Sequence, residues 1–309
     1  MTAQPPLPGI AERAEVRQFI ATISRRHGFD PIELERLFDK AAIQPAILEA
    51  ITKPYEAKPW YAYRKLFLTE KRILGGRDFM AVHAPALAAA AARYGVAPEV
   101  VTAILGIESS YGQKPGGYRV IDALSTLAFA YPKRAAFFRK ELEQFLLLCR
   151  EEGLSALDPL GSYAGAMGMP QFMPSSYRRL AADGDGDGRR DIWNNPADAI
   201  ASVARYFAQN GWRRGEPIAA RATVSKDPTS LATDKPSRPT HSLAELEALG
   251  VAIDGLVPGD PRAALVRLDG ESGPLYWVAF HNFFVVMRYN HSPLYAMAAY
   301  ELSRELVGP

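Results

Sequence analysis

Four stretches of this sequence hold residue types and spacings that could do chemistry. The most specific is Asp183-Gly184-Asp185-Gly186-Asp187-Gly188, which fits D-x-D-x-D-G, the first half of an EF-hand calcium loop. Three carboxylates alternating with glycine repel one another unless a hard cation sits between them. Gly188 supplies the sharp turn at the sixth position, and Arg189 would offer its backbone carbonyl. The twelfth position, where a bidentate Glu closes such loops, holds Asn194. Asp198, at the head of the next helix, is therefore the expected closing carboxylate. Asp183, Asp185, Asp187, Arg189 and Asp198 are the expected ligands of a structural Ca2+ or Na+, against the competing reading of a solvated acidic turn. A cation there implies no reaction by itself.

Glu108 is of another kind. It ends a helical run and follows Ile104, Leu105 and Ile107 on or beside its own face. Apolar neighbours and the negative end of the helix dipole both disfavour ionisation, so its pKa is expected to be raised. A raised carboxyl is what a general acid needs near neutral pH. On spacing alone a second reading is open and commoner, a carboxylate pointing into solvent at a frayed helix end.

The segment from Gly161 to Ser176 is rich in Gly, Ala and Met. Ser162 and Gln171 offer hydrogen-bonding groups, while Phe172 and Met173 offer apolar walls, the mixture a sugar asks for. A tightly packed helix pair with Met as gap filler fits the same composition. Near the C-terminus, Asn282-Phe283-Phe284, Arg288-Tyr289-Asn290-His291 and Tyr295 gather aromatic and amide groups, for which a buried core is the plainer reading. No G-x-S-x-G elbow is present, and Cys149, following Phe145-Leu146-Leu147-Leu148, reads as a packed thiol.

The elements that must hold these residues are mostly helices. Helical spacing runs from Ile10 to about Ile51, with Asp30-Pro31-Ile32-Glu33 as a capped start. Residues 1–9 read as a disordered lead-in, and Lys53-Pro54 and Lys58-Pro59 as breaks before Trp60 heads another helix. Two helices are expected over 78–111, the first running to about Arg93 and the second starting near Pro98. A helical pair over 120–152 is stopped by Pro132 and Gly153, and a helix through Ile200 and Phe207 ends at Asn210-Gly211. Composition shifts over 215–275, where Ala219–Val224 and Ala264–Leu268 alternate as short strands around a helix capped by Ser242. From Leu275 to the end a helical pattern resumes.

The chain's 309 residues are 48% apolar and 23% charged, enough for more than one packed unit. With 36 basic against 34 acidic side chains, nothing marks a nucleic-acid-binding surface. One cysteine excludes an internal disulfide, and the five histidines show no zinc spacing. No apolar run reaches membrane-spanning length; Ala84–Ala92 and Trp277–Met287 read as buried helices. The opening Met1-Thr2-Ala3-Gln4-Pro5 has no basic n-region or apolar h-region, so a cytoplasmic chain or one lacking its signal segment is expected.

Together these pieces resemble the membrane-bound lytic transglycosylase B family of bacterial peptidoglycan-cleaving enzymes. The resemblance rests on Trp60-x-x-Tyr63-Arg64, then Gly106-Ile107-Glu108-Ser109-Ser110-Tyr111-Gly112. It continues through Gly161–Gly168 with Gln171-Phe172-Met173-Pro174-Ser175-Ser176, and ends on Arg288-Tyr289-Asn290-His291-Ser292. It implies Glu108 as a single catalytic acid and decides its reading. It further implies a glycan groove lined by Tyr63, Arg134, Ser162, Gln171, Phe172, Met173, Tyr206, Tyr289, Asn290 and Tyr295. Departures lie at Ser109-Ser110-Tyr111, where Thr and a basic residue often follow the Glu, and at Pro132-Lys133-Arg134 and Phe137.

The fold the resemblance implies is mainly α: a lysozyme-like helical core with an N-terminal helical domain and a small α/β insertion. The expected domains are 1–85, then 86–213 with 276–309 as the core holding the EF-hand-like loop, and 214–275 as the insertion. The implied activity is non-hydrolytic cleavage of the MurNAc-β-1,4-GlcNAc bond to 1,6-anhydro ends, Glu108 serving as acid and then base with no catalytic cofactor. A muramidase using water would need a second carboxylate. A silent calcium-stabilised glycan-binding protein is the third alternative. The expected partners are peptidoglycan strands and other cell-wall enzymes, with no nucleic acid, for a periplasmic monomer whose signal or lipid anchor is absent from this chain.

Overall fold

In the computed structural model, which describes residues 10–52, 58–225, 228 and 231–308, the elements follow one another with short connections. The N-terminal helices are α1 (Ala14–His27), α2 (Pro31–Phe38), α3 (Pro45–Ile51), α4 (Trp60–Phe67), α5 (Glu70–Val82), α6 (Ala84–Tyr94) and α7 (Pro98–Ser109). Next come β1 (Tyr118–Arg119), α8 (Val120–Ala130), a 3-10 turn (Pro132–Arg134), α9 (Ala135–Glu152), β2 (Leu160–Gly161), α10 (Pro174–Leu180) and α11 (Pro196–Gln209). The rest is β3 (Ala219–Val224), β4 (His241–Ser242), α12 (Leu243–Ala248), β5 (Val251–Ile253), β6 (Arg262–Gly270), β7 (Gly273–Ala279), α13 (His281–Val286) and α14 (Pro293–Val307). The lead-in at 1–9 and the Lys53-Pro54 break lie outside the described residues.

Local signals set these boundaries. Asp30 accepts the N–H of Ile32 at 2.8 Å, and Pro31 opens α2 as expected. Gly95 and Gly153 end α6 and α9 in the left-handed region. The Ser242–Glu245 capping box is complete. Two expectations fail. The helix expected from residue 78 to Arg93 is two helices, because Pro85 falls in the first turn of α6 and cannot continue α5 past His83. The helical pattern expected from Leu275, and the apolar stretch Trp277–Met287 read as one helix, begin with strand β7. Pairing with β6 and β3 on either side overrides the local pattern there.

The chain divides into two compact units, one of Met1–Pro54 with Gly112–Ala199 and one of Tyr55–Tyr111 with Ile200–Pro309. These cuts differ from the sequence-based boundaries, and α11 runs through one of them. In the first unit α8 is buried on nearly every side and packs along α9. The rings of Phe19, Phe38 and Phe129 meet edge to face at 5.7 to 6.5 Å. Asp122, 3% exposed in the first turn of α8, takes the Arg119 guanidinium at 2.9 Å and the Ala42 N–H at 3.0 Å. That pairing fixes the chain between α2 and α3.

In the second unit α7 packs on α5, α6 and α14, with Ala103, Leu302 and Leu306 at the centre of the contact. Its sheet has the order β4-β6-β7-β3-β5, every neighbouring pair antiparallel. Ala220, Leu265 and Val278 on one sheet face form a small core with Leu243 and Leu246 of α12. Among the described residues no single helix is long and apolar enough to cross a membrane; α6 and α7 meet at a 113° bend.

Candidate functional site

Glu108 lies in the last turn of α7 and its carboxyl accepts a hydrogen bond from the Tyr295 hydroxyl at 2.6 Å. Tyr295, 2% exposed, stands in the first turn of α14, whose N-cap Ser292 receives the Tyr295 N–H. Burial pushes the Glu108 pKa up to about 7, and the Tyr295 bond, which favours the ionised form, holds it from rising further. Tyr289 stacks nearly parallel to Tyr295 at 6.4 Å and packs against Tyr206 at 4.6 Å. Burial and the neighbouring Glu108 raise both the Tyr289 and Tyr295 phenols well above their usual range, so both remain neutral donors. Tyr63, in α4, adds to that field and packs on Trp60 and Phe67. The Tyr206 hydroxyl donates to the Arg288 carbonyl, and the Asn290 carbonyl receives the Ser292 N–H at 2.7 Å. A carboxyl that is neutral near pH 7 can give a proton and, once ionised, take one back.

Helix α7 ends in an unusual way. Ser110 and Tyr111 both have left-handed backbones, at φ 51° and 61°. Their N–H groups bond to the carbonyls of Gly106 at 3.1 Å and Leu105 at 3.0 Å, closing the helix. The Tyr111 hydroxyl donates to the Arg72 carbonyl at 2.8 Å. In the sequence Tyr111 stands only as part of a motif and of its departure from the family pattern. The signal missed was Gly75-Gly76 inside a helix and Gly106 on α7, where small residues imply a close neighbour.

Ser162, Gln171, Phe172, Met173 and Arg134 belong to the first unit. The Ser162 oxygen accepts the N–H groups of Ala164 at 3.2 Å and Ala166 at 3.1 Å, which leaves its hydroxyl hydrogen as the group to donate. Gln171, left-handed at φ 52°, donates its amide to the carbonyls of Pro115 at 2.8 Å and Gly168 at 2.9 Å, which leaves its amide oxygen as the group to accept. Met167 and Phe172 exchange backbone bonds at 2.9 and 3.1 Å. Phe172 is 2% exposed, so its ring is core. Met173 is half-buried and caps α10. Arg134 is exposed, its guanidinium lying 4.4 Å over the Phe137 ring.

In the acidic loop, Asp183, Asp185 and Asp198 each bring one carboxylate oxygen within 4.8 Å of the others. Asp183 accepts the N–H groups of Gly186 at 2.6 Å and Gly188 at 2.9 Å, which hold its pKa down, the Gly188 bond first. Asp198 is buried, takes the N–H groups of Gly184 and Asp191 at 2.7 Å each, and has its pKa raised by burial. Asp187 is not in this group; its carboxylate accepts the Arg189 N–H at 2.8 Å. Asn194, at the usual closing position, turns its amide to Asp191. The donor set is all oxygen, which suits a hard cation.

Among the described residues the other buried carboxylates are already committed. Glu141, 4% exposed and not singled out in the sequence, takes the Ser175 N–H at 2.9 Å and hydroxyl at 2.7 Å. Asp122 and Asp198 are tied as described above. Glu301, in α14, is paired with Arg64. Likewise the Asn282 amide, in a stretch expected to be buried core, pins the backbone at Arg213 and Glu216 by bonds of 2.9 to 3.0 Å.

The transglycosylase SLT domain model matches residues 11–304. The chain is 38% identical over 306 residues to membrane-bound lytic murein transglycosylase B of Escherichia coli K12, covering 95% of this chain and 83% of that protein. Soluble lytic transglycosylase SltB1 from Pseudomonas aeruginosa superposes with a TM-score of 0.90 at 46% identity, over 95% of this chain and 98% of that one. Escherichia coli Slt35, solved in complex with calcium, gives 0.89 at 36% identity, over 99% and 98%. SltB3 from Pseudomonas aeruginosa, solved with NAG-NAM-pentapeptide, gives 0.86 at 33% identity, over 96% and 79%. With the helical lysozyme-like fold shared along almost its whole length, the chain belongs to the transglycosylase SLT domain family.

Proposed function

We propose that this protein is a peptidoglycan lytic transglycosylase that opens the MurNAc-β-1,4-GlcNAc bond without water. The observation that supports this most is Glu108: its pKa is pushed to about 7, while the other buried carboxylates are bonded to backbone N–H groups, hydroxyls or arginines. A hydrolase of the ordinary kind needs two carboxyl groups across the scissile bond. Among the described residues one buried carboxyl has its pKa pushed to about 7 with neither an arginine nor a backbone N–H on it, which favours a reaction in which the same group acts twice. Glu108 gives its proton to the leaving glycosidic oxygen as the bond to C1 breaks. As a carboxylate it then takes the proton from the C6 hydroxyl, whose oxygen closes on C1 and leaves a 1,6-anhydro end. The Tyr295 hydroxyl keeps the carboxyl in one orientation through both steps. Family membership and the name of the Escherichia coli relative support the same substrate.

The glycan contacts belong to this proposal, each set taken by itself: Tyr63, Tyr206, Tyr289, Asn290 and Tyr295 in the second unit with Glu108, and Ser162, Gln171, Phe172, Met173 and Arg134 in the first. The remaining Ser162 hydrogen suits it to donate to a sugar oxygen, and Phe172 would contribute by holding the Met167–Phe172 backbone pair in place. In the loop, Asp183, Asp185 and Asp198 would hold Ca2+ for structure, with Asp187 and the Arg189 carbonyl as further proposed ligands. Calcium supplies rigidity there and no reaction step. The three-part division at 1–85, 86–213 with 276–309, and 214–275 is kept as a functional division; the separate sheet core supports its third part, although β7 runs on to Ala279. The peptidoglycan substrate and the relatives' names favour a periplasmic location, and a monomer working beside other cell-wall enzymes is part of the same proposal.

The test is mass analysis of the fragments released from purified peptidoglycan. The expected ends are one water lighter than reducing MurNAc. Reducing ends as the main product would replace this reading by a muramidase, and no release at all would favour a glycan-binding role.

A further inference from the structure

Tyr111 is held in a conformation that a residue with a side chain avoids, and its surroundings are shaped to hold it there. Such strain persists only where neighbours over-determine it, and it gathers at functional sites. The ring enters a slot between α5 and α7 that exists because Gly76 and Gly106 lack side chains. A Cβ on Gly106 would lie 2.6 Å from the phenolic oxygen and 2.7 Å from Cζ, and one on Gly76 would strike the same oxygen and Leu306. The ring stacks on Phe79 at 5.6 Å. Its hydroxyl bonds to the Arg72 carbonyl, and the Arg72 guanidinium in turn donates to the carbonyls of Leu66 at 2.6 Å and Phe67 at 3.0 Å. Those carbonyls end α4, the helix of Tyr63. One side chain thus ties the last turn of α7 to α5 and, through Arg72, to α4.

We propose that Tyr111 is a positioning residue, whose bond to Arg72 fixes the last turn of α7 so that the Glu108 carboxyl is held against Tyr295. The inference rests on Glu108 being the acid. The groups facing that carboxyl are Tyr295 on α14 and Tyr289 just before it, with Tyr63 of α4 behind Tyr295, while α5 presents Arg72 to Tyr111. Loosening the turn lets water reach Glu108, so its pKa falls toward the ordinary range and the high-pH limb of activity moves down with it.

Tyr111→Phe removes the hydroxyl and keeps the ring in its slot. It is expected to lower kcat by on the order of tenfold with KM within about twofold, and to move the Glu108 midpoint, followed through its carboxyl ¹³C signal, to lower pH. Gly106→Ala should act in the same direction by pushing the ring out, and should add little in a Tyr111→Ala background, where no ring remains to displace. An unchanged kcat and midpoint in Tyr111→Phe, whatever its melting temperature, would overturn the proposal. So would a lower kcat with an unmoved midpoint, because a smaller folded fraction gives that pattern. Glu108→Gln run alongside separates the two levels: wild-type activity there removes the acid reading, while the ¹³C midpoint still decides whether Tyr111 positions the carboxyl.

Discussion

Glu108 is buried beside two tyrosines with the Tyr295 hydroxyl on its carboxyl, while Asp183 is half-buried with two backbone N–H groups on its oxygens. Burial raises the first to about 7, and hydrogen bonds to the charged form lower the second. The same functional group is thus made into a proton carrier in one place and a permanent anion in the other. Only the first is suited to acid–base chemistry near neutral pH, and only the second to a hard cation. Neither outcome follows from the residue type. Each follows from what the backbone brings to the oxygens.

The sharpest way to break this contrast is Glu108→Gln, which keeps size and removes the transferable proton. Glycan cleavage should fall by on the order of a hundredfold or more, while binding survives. The same substitution should alter stability with a definite sign. A raised native pKa means that the contribution of Glu108 is fully present below about pH 4.5 and is lost as pH rises through about 7. Wild type should therefore lose on the order of 2 kcal/mol between those limits, a figure discounted for partial solvent access. Glu108→Gln should lack that loss, so denaturant melts at pH 5 and pH 8 check it.

Tyr295→Phe sharpens the comparison from the other side. It removes the hydrogen bond that favours ionised Glu108, so the midpoint of Glu108 should move up, opposite to the Tyr111→Phe result. A drop in kcat of roughly tenfold should accompany it, since the carboxyl loses its fixed orientation. A pH–rate profile with the high-pH limb displaced downward would contradict this.

The smallest effect is expected at the loop. Calcium should raise the melting temperature by about a few degrees, through binding to the native state alone. Asp185→Ala should abolish that increment and leave kcat at 25 °C within about twofold. Equal calcium shifts in both proteins would show that the loop is not the binding place.

Much of this was legible in the sequence where a residue acts locally. Asp30, Ser242, Gly95 and Gly153 cap helices where their types and positions predict. For Glu108 the spacing allowed a raised pKa but left a solvent-facing carboxylate as the commoner reading; burial is what raises it, and the Tyr295 hydroxyl that limits the rise comes from another helix. What depended on distant partners was not legible. Strand β7 looked helical until β6 and β3 flanked it. The Tyr295 bond to Glu108 joins residues 187 apart in the chain, and the Tyr111 slot needs two glycines from different helices. Asp187 follows the calcium-loop pattern, yet it stands apart from the three carboxylates that converge.

The central claim is that one buried carboxyl acts alone, with the attacking oxygen drawn from the substrate. Digestion of purified peptidoglycan in ¹⁸O water tests it most directly, by mass analysis of the new sugar ends. The account predicts anhydro ends that carry no label. Labelled reducing ends as the main product would contradict it, and would require a second carboxylate to activate the water.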